Sequence, residues 1–234
     1  MKKEEFVEEL EKLNIKVTDN QLHQLDEYYN LLIERNKVMN LTGITEKEEV
    51  YLKHFYDSIT ITKVIDFNNV ETLCDVGSGA GFPGLVIKIL FPNLQVTLVD
   101  SLNKRINFLN EVISKLELKN INTIHTRIEE FGIKNREKYD IVVARAVAQL
   151  NILLEYCIPI TKVKGYFIAM KGNCFEEINK SKNALDKLNS HIEECNSFNL
   201  PIENSSRTII KVKKDVATDK KFPRKYSEIK KRSL

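Results

Sequence analysis

From Val70 onward the chain alternates short apolar runs with longer amphipathic stretches, and this rhythm limits its possible folds more than any other feature. The runs at residues 71–76, 95–100, 122–126, 140–144, 165–170, 191–198 and 208–212 have the length and composition of strands. Between them, residues 83–90, 104–116, 149–156 and 175–188 carry helical spacing. Strands that alternate with helices pair in parallel, because each return to the same end of the sheet needs a crossover long enough to hold a helix. Right-handed crossovers then cover both faces of the sheet. The expected fold is α/β: a doubly wound, Rossmann-like, mostly parallel sheet of seven strands.

Ahead of this pattern the spacing is purely helical. Phe6, Leu10 and Leu13 form one stripe, and Leu22, Leu25, Tyr29 and Leu32 form another. Thr18 with Gln21, and Thr45 with Glu48, read as capping boxes at helix starts. The expected division is a helical N-terminal element over residues 1–65 and an α/β domain over 66–234 that ends in a basic tail. A chain of 234 residues that is 42% apolar can bury a core of that size. The apolar run 141–160 is interrupted by Arg145, Gln149, Asn151 and Glu155, so no membrane span is expected, and the N-terminus shows no signal peptide. Four cysteines and four histidines stand singly, the pattern of a reducing cytoplasm without a structural metal. Charge is uneven: residues 211–234 hold ten Lys/Arg against three Asp/Glu. Such a tail is either a solvated end or a polyanion contact.

In a doubly wound sheet, ligands bind at the carboxyl ends of the strands near the point where strand order reverses. The residues just past the candidate strands are therefore the ones to examine. They are Gly77-Ser78-Gly79-Ala80-Gly81, then Asp100, then Arg127-Ile128-Glu129, then Arg145, then Lys171-Gly172. Residues 79–84 satisfy G-x-G-x-x-G, and Asp100 lies at the distance expected of a ribose-binding carboxylate. A nicotinamide-dependent dehydrogenase is thus one reading. Against it, Gly77 rather than Gly79 comes directly after the strand, Pro83 has no N–H to offer a diphosphate, and Asp75 places an anion beside the loop. Negative charge suits the ammonium of a methionine moiety, so S-adenosylmethionine is the preferred cofactor. Asp100 could accept both ribose hydroxyls of either molecule.

These residues resemble one known family, the bacterial 16S ribosomal RNA N7-guanine methyltransferases, also called glucose-inhibited division protein B. The matching segments are Asn40-Leu41-Thr42, His54 to Ser58, Asp75 to Gly84, Leu98 to Ser101 with Lys104-Arg105, Arg145-Ala146, Lys171-Gly172 and Phe222 to Lys225. At Tyr226-Ser227-Glu228-Ile229 the chain departs from the family's Gly-Thr-Pro type of turn. The resemblance implies a class I S-adenosylmethionine-dependent methyltransferase acting on a guanosine in the 530 loop of 16S rRNA. The partner would be that RNA or the small ribosomal subunit, met by a single chain in the cytoplasm. Gly77, Gly79, Gly81, Phe82, Asp100, Ile128, Glu129 and Arg145 are the candidate cofactor residues, Phe82 and Ile128 from the resemblance alone. His54, Asp57, Ser58, Arg105, Lys171, Arg224 and Lys225 are the candidate RNA contacts, and Arg145 is expected to position the base.

The residues at the end of the fourth strand narrow the chemistry. Ala144-Arg145-Ala146-Val147 is not the Asn/Asp-Pro-Pro-aromatic group that orients an exocyclic amine, and Cys174 reads as an incidental thiol rather than a carbon-5 nucleophile. Guanine N7 needs neither device. Its lone pair is free, so alignment suffices and no acid or base catalyst is expected. A non-catalytic RNA-binding module on the same fold is the third reading.

Overall fold

The computed structural model describes all residues, Met1–Leu234. The chain begins with α1 (Lys3–Lys12) and α2 (Asp19–Met39), and continues in a helical stretch made of α3 (Lys47–Val50), a π-helical turn (Tyr51–Tyr56), α4 (Asp57–Ile59) and a 3-10 turn (Thr60–Lys63). Then come β1 (Thr72–Val76), α5 (Gly84–Leu90), β2 (Gln95–Asp100), α6 (Asn103–Lys115), β3 (Ile121–His125), α7 (Ile128–Lys134), β4 (Tyr139–Arg145) and α8 (Leu150–Cys157). The chain finishes with β5 (Thr161–Lys171), α9 (Phe175–Lys180), α10 (Lys182–Lys187), β6 (Ser190–Asn199), β7 (Ser206–Lys214) and α11 (Tyr226–Lys231).

The seven strands form one sheet in the order β3-β2-β1-β4-β5-β7-β6. The first five are parallel, and β7 inserts antiparallel between β5 and β6. Strand order reverses between β1 and β4, so the crevice opens above Val76 and Arg145, as the switch-point rule requires. The central strands are buried on both faces. Leu73, Ile141 and Ile168 belong to one core cluster, while Cys74, Val142 and Phe167 belong to the other.

The helical region before residue 65 is not a separate packing unit. Phe6, Leu10, Leu25, Tyr28 and Phe55 share a single buried cluster with Val96, Leu98, Phe108 and Ile209 of the α/β region. The boundary near residue 65 is therefore one of sequence pattern, since these helices serve as the cover of one sheet face. Thr18 caps α2 as its spacing implies, with its hydroxyl accepting from the Gln21 N–H. Thr45 does not cap α3, which starts one residue later behind Glu46. The candidate helix 175–188 divides at Ser181, whose hydroxyl bonds back to the Glu177 carbonyl, a competition that bends or breaks short helices.

The basic tail folds back on the body. Phe222 and Ile229 are buried, and Arg136 donates to the carbonyls of Thr218, Asp219 and Phe222. Arg224 binds Glu155 of α8 through three bonds of 2.6 to 2.9 Å. Glu155 is completely buried. No helix is long and apolar enough to cross a membrane.

Candidate active site

The glycine loop leaves β1 with Gly77, Gly79 and Gly81 at φ of +70°, +58° and +100°. Side chains of L residues resist that region, so three such positions in five residues need glycine. Two groups from elsewhere hold the loop. Asp100, buried at the end of β2, accepts the Gly79 N–H on Oδ2 and the Leu102 N–H on Oδ1, both at 2.9 Å. Tyr28 of α2 donates its hydroxyl to the Ala80 carbonyl. The result is a cavity of about 350 Å³ lined by Gly77, Asp100, Ser101, Arg105, Ile128 and Val147. Oδ2 also accepts from Arg105 Nη1 at 3.3 Å, so Oδ1 is the oxygen that keeps lone-pair capacity after its backbone bond.

Asp75 sits beneath this loop and is fully buried. Its Oδ2 accepts the Gly84 N–H at 2.9 Å, and its Oδ1 has no partner. Burial pushes its carboxyl up to about 7, against the pull of the Gly84 N–H and the Arg145 charge. The first N–H of α5 is thus already taken by a carboxylate, which leaves a diphosphate no welcome there. The dinucleotide reading of the loop fails on this point.

A second cavity, of about 320 Å³, lies on the other side of Ala146, the residue common to both linings. Ala146 sits at φ +56°, a left-handed conformation rare for alanine. It turns the chain so that Val147 faces the glycine-loop cavity while Arg145 faces the second one. Arg145 donates to Asp57 at 3.0 Å and to the Lys53 carbonyl at 3.1 Å, and its guanidinium lies 5.2 Å from the centre of the Phe82 ring. Arg207 donates to the other Asp57 oxygen at 3.0 Å. His54 stacks on Phe82 with ring centres 4.4 Å apart.

The protonation of His54 is set by its partners. Arginine can only donate, so Nδ1, 3.4 Å from Arg145, is the accepting nitrogen, and Nε2–H donates to the Thr42 hydroxyl at 2.7 Å. Burial and the Arg145 charge lower its pKa to about 3. At neutral pH the ring is uncharged, and both of its nitrogens are engaged.

Comparison with known proteins points the same way. Residues 21–206 match the model of a family described as GidB, rRNA small subunit methyltransferase G. The chain belongs to the GidB family. Its relatives include the ribosomal RNA small subunit methyltransferase G of Bacillus licheniformis, 54% identical over 95% of this chain and 94% of that one. The protein of the same name from Bacillus subtilis is 52% identical over the same shares. Among solved structures, a SAM-dependent methyltransferase from Aquifex aeolicus aligns with 71% of this chain and 93% of its own at a TM-score of 0.52 and 17% identity. The mitomycin 7-O-methyltransferase MmcR aligns with 83% of this chain and 66% of its own at 0.57 and 12%. These distant structures share the fold, a class I Rossmann-like methyltransferase.

Within the GidB-family frame, Gly77, Asp100, Arg105 and Ile128 line the glycine-loop cavity. Glu129 is buried at the edge of an adjoining cavity of about 470 Å³ that shares Ser101, Ile128 and Val147. Together these spaces suit a nucleoside joined to an amino acid, so S-adenosylmethionine fits the residues present. Gly79 shapes the loop through its bond to Asp100. Gly81 is buried, where an added Cβ would stand 2.7 Å from the Tyr28 hydroxyl, so it shapes the turn rather than lining the cavity.

Several expected contacts lie elsewhere. Arg145 lines the second cavity rather than the glycine-loop cavity, held there by the Asp57 carboxylate. Phe82 packs among Tyr28, Phe55 and His54 in the core. Ser58 is fully buried with its hydroxyl on the His54 carbonyl, so it cannot meet RNA. Arg224 is a clamp on Glu155 rather than a free cation. Lys171 lines the second cavity but is held by Glu177 and the Ala148 carbonyl. His54 and Asp57 line the same cavity, and Lys225 stays exposed. Sequence reasoning missed Tyr28, Thr42 and Arg207 as site-forming groups. Tyr28 is three residues from Leu25 and four from Leu32, so its spacing could have marked it as inward-facing; Arg207 carried no comparable signal. Cys174 is buried and its thiol is pushed up by burial, the state of an inert cysteine.

Proposed function

We propose that this chain transfers the methyl group of S-adenosylmethionine to N7 of a guanosine in the 530 loop of 16S rRNA. The observation that carries the reading is the pairing of two cavities at Ala146, one built on glycines and Asp100, the other walled by cations and supplied with no free base. Asp57 has a guanidinium on each oxygen, and both His54 nitrogens are engaged. A site so arranged cannot readily take up a substrate proton. Methylation at N7 releases none, because that nitrogen carries no proton at neutral pH.

When bound, S-adenosylmethionine supplies an electrophilic methyl on sulfur. The chain's own residues do the rest by placement. Asp100 would hold the ribose hydroxyls in competition with the Gly79, Leu102 and Arg105 donors it already accepts, and the glycine loop would leave room for the methionyl end. Arg145, fixed by Asp57, His54 and the Lys53 carbonyl, presents a rigid guanidinium to a base or its phosphate. Alignment of this kind can supply most of the rate gain of a transfer that needs no proton movement. The acceptor base would enter beside Arg145 and meet the methyl past Ala146, where the two cavities adjoin, with no side chain between the reacting atoms.

The test is chemical. Ribosomal RNA from cells lacking this protein is compared with RNA from cells that carry it, after treatment with borohydride and aniline, which cleave at 7-methylguanosine. A single cleavage in the 530 loop that depends on the protein is the expected result. Methyl label on an exocyclic amine or on carbon 5 would overturn it.

A further inference from the structure

We propose that α11 forms the outer wall of the cofactor's purine pocket, with the Tyr226 ring closing it; the inference rests on the methyltransferase reading above. The cavity beyond Ile128 adjoins the glycine-loop cavity, sharing Ser101, Ile128 and Val147 in its lining, and Tyr226, Ile229 and Lys230 also line it. A basic stretch with the charge to reach outward to RNA instead contributes an aromatic and an aliphatic side chain to a cleft at the protein surface.

The chemistry of that space suits a flat heteroaromatic amine. Ile128, Val147 and Ile152 supply apolar faces, and Tyr226, 43% exposed, supplies a ring. The Arg127 guanidinium lies 4.0 Å from the centre of that ring, and its Nε donates to Glu129 at 2.5 Å. Tyr226 thus fixes Arg127, and Arg127 fixes the buried Glu129 carboxylate, which retains an oxygen able to accept from an exocyclic amine. A methionyl group alone has no use for such a pocket, and a phosphate would face the Glu129 charge. Adenine uses every part of it.

The wall is in place before any ligand arrives. Ile229 is buried, and the Arg224 clamp on Glu155 fixes the chain just ahead of the helix.

Calorimetric titration of the full chain with S-adenosylmethionine and with adenosine, repeated on Tyr226→Ala, Tyr226→Phe and a truncation ending at Arg224, tests the proposal. The truncation keeps the clamp, and a thermal melt of each variant checks that the fold survives. Tyr226→Ala and the truncation should weaken both ligands by roughly tenfold, as expected for removal of an aromatic wall from a base. Tyr226→Phe should stay within about twofold, because the ring and not the hydroxyl is used. Unchanged affinities in Tyr226→Ala and the truncation would overturn the proposal, as would weakening of S-adenosylmethionine without weakening of adenosine. If the full chain binds neither ligand, the methyltransferase reading itself fails, and this inference falls with it.

Discussion

Replacing Arg224 with alanine should cost far more than the loss of one surface cation. Arg224 holds Glu155 through its own backbone N–H at 2.9 Å, its Nε at 2.7 Å and its Nη2 at 2.6 Å. Glu155 has no exposure, whereas the Arg224 side chain keeps 22%. The substitution spares the backbone bond and removes both charged donors, leaving a carboxylate that α8 cannot turn toward water. Breaking a buried pair from one side costs about 3–5 kcal/mol. The residual exposure of Arg224 argues for the lower end, about 3 kcal/mol. At about 2–4 °C per kcal/mol for a chain of this size, the melting temperature should fall by roughly 6–12 °C. Urea titration read by circular dichroism measures the free energy, and the double variant Arg224→Ala/Glu155→Gln should recover part of it because the stranded charge is gone. A loss below about 1 kcal/mol, the range of exposed pairs, would refute the argument and restore Arg224 as a free cation.

Asp100→Ala should weaken S-adenosylmethionine by about 1.5–3 kcal/mol, the worth of a charged hydrogen-bonding group, and should also lower the melting temperature, because the Gly79 and Leu102 N–H groups lose their acceptor; calorimetry with unchanged affinity would remove it from the site. His54 and Asp75 should push the pH dependence of stability in opposite directions. The folded His54 has a pKa near 3, so its contribution is complete above about 6.5 and is lost as pH falls toward 3. The folded Asp75 has its pKa raised to about 7, so between about 3.8 and 7 the folded state binds the extra proton and stability falls as pH rises. Urea midpoints between pH 5 and 7 should therefore drop more steeply with acid in Asp75→Asn, which keeps an acceptor for Gly84, and rise with acid in His54→Gln; profiles identical to the parent would sink both assignments. Gly84→Ala should destabilise by about 1–3 kcal/mol through overpacking, since the new Cβ would stand 2.7 Å from Asp75 Oδ2; an unchanged urea midpoint would show that α5 can shift away from β1.

The strand and helix rhythm alone settled the mostly parallel sheet, because short apolar runs alternating with amphipathic stretches of period 3.6 leave few ways to bury both patterns. β2 begins and ends where its apolar run does, and the loop glycines announce left-handed turns that other residues resist. Gly77 and Asp100 were legible because the ends of parallel strands converge wherever such a sheet forms, whereas Ile128 came from the family resemblance. What the tertiary structure decided was direction and partnership. Arg145 and Val147 are two residues apart in sequence, yet the left-handed turn at Ala146 sends them into different cavities. Tyr28 and Asp57 meet the loop and the strand ends only because α2 and the helical stretch running into α4 pack on one sheet face. The tail read as a charged arm, since composition counts cations but not their partners, and Arg224 finds Glu155 only after 68 intervening residues have folded between them. Local pattern comes from backbone periodicity and side-chain size, whereas the fate of a charge depends on which carboxylate the fold brings within 3 Å of it, and no spacing along the chain encodes that distance.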